Sequence, residues 1–219
     1  MAFVNPTTPN VADFTTFLQT SVGIPTSALP TNSPWITYAF NQAVALTLQI
    51  AQVTAIEYVL AVYNCGTHIL IKITPDEQAL VTASITTGTL DVTDVASGTI
   101  AVGMQILNIA TPVPTITAFG TGTGGTGTYT ISQDLTVSST SMTLQGTYFQ
   151  TQRGKDGFDL VGVPNAFLSA SSDESTSQTM AVSDALQTLS LTDLDFMRTP
   201  WGREWIEYGQ DYGPVWGLT

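Results

Sequence analysis

Hydrophobic and polar positions change their spacing twice along this chain. Near the start, Val11, Phe14, Phe17 and Leu18 recur at three- and four-residue intervals, which puts them on one face of a helix. Asn10 stands where a side-chain oxygen can cap that helix, and Gly23 with Pro25 ends it. Pro30 to Ser33 reads as a loop. Ser33-Pro34 then gives a capped start with proline at the first helical position. From Trp35 a long helical pattern runs to about Gln49. A second pattern continues through Ala55, Tyr58, Val59, Val62, Tyr63, Gly66, Ile69 and Leu70 and stops before Pro75. Two long helices with so few charges must pack on several sides, including sides turned to neighbouring subunits.

Past residue 80 the period falls to two. Val81–Thr87, Thr89–Val95, Ile100–Leu107, Thr115–Phe119, Gly127–Ile131 and Ser141–Gln145 are rich in β-branched residues and separated by turn signals. That spacing predicts the strands of a small sandwich or barrel. Gly120–Gly127, alternating glycine and threonine, is the hairpin between two of them. From Tyr148 the pattern is mixed again. Phe167–Ala170 and Thr176–Val182 are expected to pair around Ser172–Ser175. Ser190 precedes a helical run with Leu191, Leu194, Phe196 and Met197, and Thr199-Pro200 opens a short helix over Trp201–Tyr208. The last residues, Tyr212–Thr219, are aromatic and uncharged.

The expected architecture is therefore α+β. Residues 1–81 and 147–219 form an α-helical core, a helix bundle with a small β-hairpin, and 82–146 form an inserted, small all-β domain of sandwich or barrel type. The insert has no lysine or arginine and only three acids, Asp91, Asp94 and Asp134.

Composition narrows the function. Among 219 residues, 17 are acidic and 5 basic, for a net charge of −12. A nucleic-acid-binding surface needs cations to displace counterions from phosphates, so this balance argues against one. It argues equally against anchoring to an anionic membrane. One cysteine and one histidine exclude a disulfide framework and the usual zinc sites. Met1–Phe14 has neither a basic nor an apolar stretch, so no signal peptide is expected. The most apolar segment, Trp35–Leu60, carries Asn41, Gln42, Gln49, Gln52 and Glu57 along its length and reads as buried helix rather than a membrane span. Charged residues are only 10% and the mean hydropathy is +0.20, which suits a subunit that hides surface in an assembly.

Candidate chemistry is sparse. Cys65 and His68 lie three apart on one helical face and could form a thiolate–imidazole pair. Their neighbours are apolar and no acid is close in sequence, so core or interface packing is the stronger reading. Gly120–Gly127 lacks the lysine and helix start of a phosphate-binding loop. Glu204 with Glu207, and Asp193 with Asp195, are acid pairs without calcium-loop spacing, read as solvated or interface charge. No catalytic set, cofactor site or metal site is expected.

Three stretches of the flanks resemble the head–tail adaptor (connector) proteins of tailed bacteriophages. They are Trp35–Phe40 with Tyr63–Leu70, the serine-rich Phe167–Ser177, and Thr199–Arg203 leading to Tyr212–Trp216. The resemblance implies a virion protein that forms a ring, usually of twelve copies, between the portal and the tail or neck, with double-stranded DNA passing through its lumen unbound. It also implies assembly in the host cytoplasm, no membrane and no enzymatic activity. Trp201, Arg203, Tyr208, Tyr212 and Trp216 are the candidate contacts with the portal or neighbouring subunits. The 82–146 segment departs from that family and looks like a threonine/glycine-rich β-module of virion proteins. The alternative function is a carbohydrate- or receptor-binding or decoration protein acting through it, with Phe119 and Tyr129 stacking on a sugar.

Overall fold

The protein was examined as a computed structural model, which describes residues 7–47, 53–154, 171–173, 176–178 and 191–212. The chain divides into two compact units, one from Met1–Val22, Pro34–Ile73 and Gln152–Thr219, the other from Gly23–Ser33 and Thr74–Thr151.

In the first unit, helix α1 spans Val11–Phe17 and runs into a π-helical turn, Leu18–Val22. The Asn10 side chain accepts the Asp13 N–H at 2.9 Å, the expected cap, and Gly23 with φ +81° closes the segment. Helix α2 is Pro34–Leu46 and α3 is Ala55–Ile73. Thr54 and Glu57 start α3 with a reciprocal cap: Glu57 Oε2 accepts the Thr54 N–H at 3.0 Å, and Thr54 Oγ1 accepts the Glu57 N–H at 3.3 Å. The apolar spacing does what it predicted. Phe14 and Phe17 of α1, Ile36, Phe40 and Ala43 of α2, and Val59, Val62 and Tyr63 of α3 are all buried. Gly66 is small because Phe14 lies against it; a Cβ there would meet the ring at 2.8 Å. At the far end of the chain, α5 (Leu191–Phe196) and α6 (Pro200–Tyr212) belong to the same unit.

The second unit is a sheet of six antiparallel strands: β1 Gln78–Thr86, β2 Thr89–Ser97, β3 Gln105–Ile106, β4 Ile116–Phe119, β5 Gly127–Ile131 and β6 Val137–Gln145. Their spatial order is β3-β6-β1-β2-β5-β4. The two outer strands then meet. Gln105 bridges Thr115, the Ile106 N–H donates to Pro114 O at 2.9 Å, and the Ile116 N–H donates to Met104 O at 2.9 Å. Register shifts at Leu80/Val81, Thr82/Ala83 and Ala83/Ile85 on β1 give the extra bend that curls a sheet toward closure. Alternate residues face inward, and Val81, Ala83, Ile85, Leu90, Val92, Ile116, Ile131 and Leu144 make a dry core.

The expectation of a helical core with a small hairpin is overturned. The dominant sheet among the described residues is this nearly closed, barrel-like one of six strands. The physical reason lies in the threonine-, valine- and isoleucine-rich strands, which pair with both neighbours and with each other across the gap. They form a core of their own instead of decorating a helix bundle. The sheet also begins earlier than the composition change suggested, at Gln78. A serine-rich hairpin is present but tighter than expected: β7 (Ser171–Asp173) takes residues expected as turn and pairs with β8 (Thr176–Gln178), while Phe167–Ala170 and Thr179–Val182 lie outside the described residues.

The chain leaves the sheet where it came in. Gln78 pairs with Gln145, and the Gly146 N–H donates to Glu77 O at 2.8 Å. Just beyond, helix α4 (Tyr148–Gln152) is capped by Asp76, whose carboxylate accepts the Phe149 N–H at 2.7 Å and the Gln150 N–H at 2.9 Å.

Candidate functional site

The chemistry singled out in the sequence comes together in the helical unit, around the only histidine. His68 sits on the inner face of α3 with 1% of its surface exposed. A lone histidine among apolar residues has to find polar partners when buried, and these come from the far end of the chain. Nδ1 lies 2.8 Å from Thr199 Oγ1, and Phe196 stacks on the ring with centroids 4.2 Å apart. Nε2 lies 3.6 Å from Asp195 Oδ2, a distance for charge attraction rather than a formed hydrogen bond.

The polar surroundings of the ring favour one tautomer. Thr199 is the N-cap of α6, and its Oγ1 accepts the Gly202 N–H at 3.0 Å. The Asp195 carboxylate beside Nε2 draws the imidazole proton to that nitrogen, and the Thr199 hydroxyl hydrogen then donates to Nδ1. Gly202 makes room for this: a Cβ there would overlap Phe196 O and come within 3.0 Å of His68 Nδ1.

Asp195 is shared. Lys72 Nζ binds its Oδ2 closely, and Arg198 Nη1 stands 3.8 Å from Oδ1. Partial burial would raise the Asp195 pKa, but Lys72 and His68 outweigh it and hold the carboxyl below its usual value. His68 moves the other way. Burial pushes its pKa down to about 4 in spite of Asp195, with Lys72 and Arg198 adding to the effect. It is neutral at pH 7.

Cys65 does not join this group as a nucleophile. It is buried, with Thr47 as a hydrogen-bond partner, and burial pushes the thiol up to about 12. Thr47 also accepts the Trp205 Nε1–H at 3.0 Å, and Trp205 packs on Phe196 with centroids 4.3 Å apart. Thr199, His68 and Asp195 are the residue types of a hydrolytic triad, yet Thr199 is 4% exposed and its oxygen is occupied as a helix cap. What the arrangement does chemically is to orient and hold α5 and α6 on α3.

Beside it lies a shallow cleft of about 390 Å³ lined by Tyr38, Gln42, Leu46, Lys72, Asp195 and Phe196 among others. Tyr38 is 51% exposed and Trp35 37%, with rings in edge contact at 6.4 Å. These two aromatics and Leu46 form an apolar row on α2 that faces out of the unit.

The expected contact residues are partly gathered. Trp201 and Tyr208, seven apart on α6, share a face and are half-buried. Arg203 is exposed on another face, its Nη1–H donating to Met197 O at 3.0 Å. Tyr208 lines a shallow groove with Glu57, Glu204, Glu207 and Asp211. Tyr212 closes α6, and Trp216 lies outside the described residues. Of the two rings proposed for sugar stacking, Phe119 is 49% exposed but Tyr129 is fully buried. Its hydroxyl accepts the Gly124 N–H at 3.1 Å and donates to Gly125 O, so it pins the glycine-rich hairpin from inside.

Sequence reasoning missed Asp195, Thr199, Thr47 and Trp205 as one cluster with His68. The signal that could have found it was the lone histidine itself, which needed polar partners that its own helix does not supply. Among the described residues no group of three or more His, Cys, Asp or Glu is placed to hold a metal ion, and no helix is long and apolar enough to cross a membrane. No family model, curated protein or solved structure matches this chain.

Proposed function

We propose that this chain is a structural virion subunit that assembles as a ring between the portal and the tail or neck of a tailed bacteriophage, completing the head and leaving a conduit for DNA. The observation that carries the reading is the exposed row Trp35, Tyr38 and Leu46 on α2, in a unit that also leaves Val44 and Ile56 open to solvent. Large apolar side chains gathered on one surface mark a protein interface. The resemblance of the helical flanks supplies the kind of assembly, a ring that is usually dodecameric in the adaptor proteins. The net charge of −12 supports the conduit, because like charge keeps a polyanion from adhering to a wall. Trp201, Arg203, Tyr208, Tyr212 and Trp216 are the proposed contacts with portal or neighbouring copies.

The test is native mass spectrometry of the full chain, followed by reconstruction of the portal vertex in particles. A ring of copies seated under the portal is expected. A chain that stays monomeric at high concentration and is absent from particles rules the reading out.

A further inference from the structure

We infer that His68, Asp195 and Thr199 form an acid-released latch, which fastens α5 and α6 to α3 while the imidazole is neutral and lets them go when it takes up a proton. The inference stands apart from the ring reading and uses no partner.

The geometry is that of a site made for a neutral ring. His68 is enclosed, with one flat side against Phe196 and Nδ1 held by the Thr199 hydroxyl. A second proton, on Nδ1, would turn the Thr199 hydroxyl from donor to acceptor at that contact, with the Gly202 N–H on its other lone pair. The hydroxyl hydrogen that now bonds Nδ1 would lose its acceptor. The charge would also arrive where charge is already balanced. Asp195, from α5, is engaged by Lys72 of α3 and approached by Arg198 of the α5–α6 turn. Helix α6 faces the ring with Gly202, and α2 brings Tyr38 and Gln42 to the adjoining cleft. No acid other than Asp195 is among the groups acting on the imidazole.

Linkage gives the direction. Docked, His68 takes a proton only near pH 4; released into water it takes one near its ordinary value of 6.5. Docking is therefore undiminished above pH 6.5 and weakens as the pH falls from there to 4. The constant for opening α6 away from α3 rises about 20-fold between pH 7 and pH 5, and about 100-fold by pH 4.

Because this is the only histidine, its imidazole can be followed by NMR in the full-length chain without any variant. At pH 7 the ring is expected to be neutral with the proton on Nε2. Amide hydrogen exchange read at α6, corrected for intrinsic rate, should rise about 20-fold from pH 7 to pH 5 while the Ala79–Ile85 amides of β1 keep their protection. In His68→Gln that rise should vanish. Lys72→Met keeps the folding question out of the test, because the Lys72 side chain is about half exposed. It frees Asp195 for the imidazole and should shrink the acid effect. The latch is overturned by an imidazole that titrates near 6.5 with α6 protection constant, or by α6 and β1 losing protection together. An acid effect undiminished in Lys72→Met overturns it as well.

Discussion

In the sheet unit the buried side chains are mostly aliphatic, and they are brought together by continuous backbone pairing, between sequence neighbours for β1 with β2 and β4 with β5 and between distant strands for β1 with β6. In the helical unit the interior is aromatic and polar, and its decisive contacts join residues 131 and 158 positions apart, His68 to Thr199 and Trp205 to Thr47. The first kind of core is redundant: each inward residue contributes its own area, and losing one leaves a cavity but no orphaned polar group. The second is a chain of dependencies. Removing one partner leaves a buried donor or acceptor unsatisfied and releases a segment as well as a contact.

The largest effect should come from the dry side. Leu90→Ala opens a cavity in a fully buried site and is expected to cost about 2–5 kcal/mol, read as a lower denaturant midpoint of the sheet. A loss near zero would mean that the core collapses around the gap, and that it is not packed as described. Next is the acid response of the helical unit. Because His68 has its folded pKa lowered to about 4, stability is lost as the pH falls from 6.5 to 4, on the order of 3 kcal/mol, seen as a lower melting temperature. Equal pH sensitivity in the signals of helix and sheet would erase the contrast.

Thr199→Ala removes both a helix cap and the hydroxyl on His68 Nδ1, and about 1–2 kcal/mol should go with it. Thr199→Ser keeps the oxygen and should recover most of that in the same melting experiment. The smallest effect on folding belongs to Tyr38→Ser. Stability should change by no more than about 0.5 kcal/mol, since the ring is exposed. Self-association measured by sedimentation should drop, and a variant that assembles as well as the natural chain would detach the α2 row from the interface.

This contrast also explains what was legible. Period-two alternation around Leu90-Asp91-Val92 or Thr128-Tyr129-Thr130 announces strands, because each residue's fate is decided by its neighbours two positions away. Caps at Asn10 and Thr199, and the helix start at Pro34, were legible for the same local reason. Whether sandwich or barrel would form was not, because the Gln105–Thr115 bridge depends on bends accumulated along β1 rather than on either residue's type. Asp195 read as a solvated acid because nothing within its own helix points to His68. Tyr129 looked like a surface aromatic in a glycine-rich stretch. Its ring is the reason for the glycine at 122, where a Cβ would strike the ring's hydroxyl end.

The meeting of Gly146 with Glu77 has a consequence for how such a chain can change over generations. A segment whose two ends lie one hydrogen bond apart can be lengthened, shortened or exchanged at genetic scale while the chain on either side keeps its path. The strands Gln78–Gln145 are in that sense a cartridge with a fixed socket. The socket is the short antiparallel start of β1 and end of β6, together with the Asp76 carboxylate that caps the next helix.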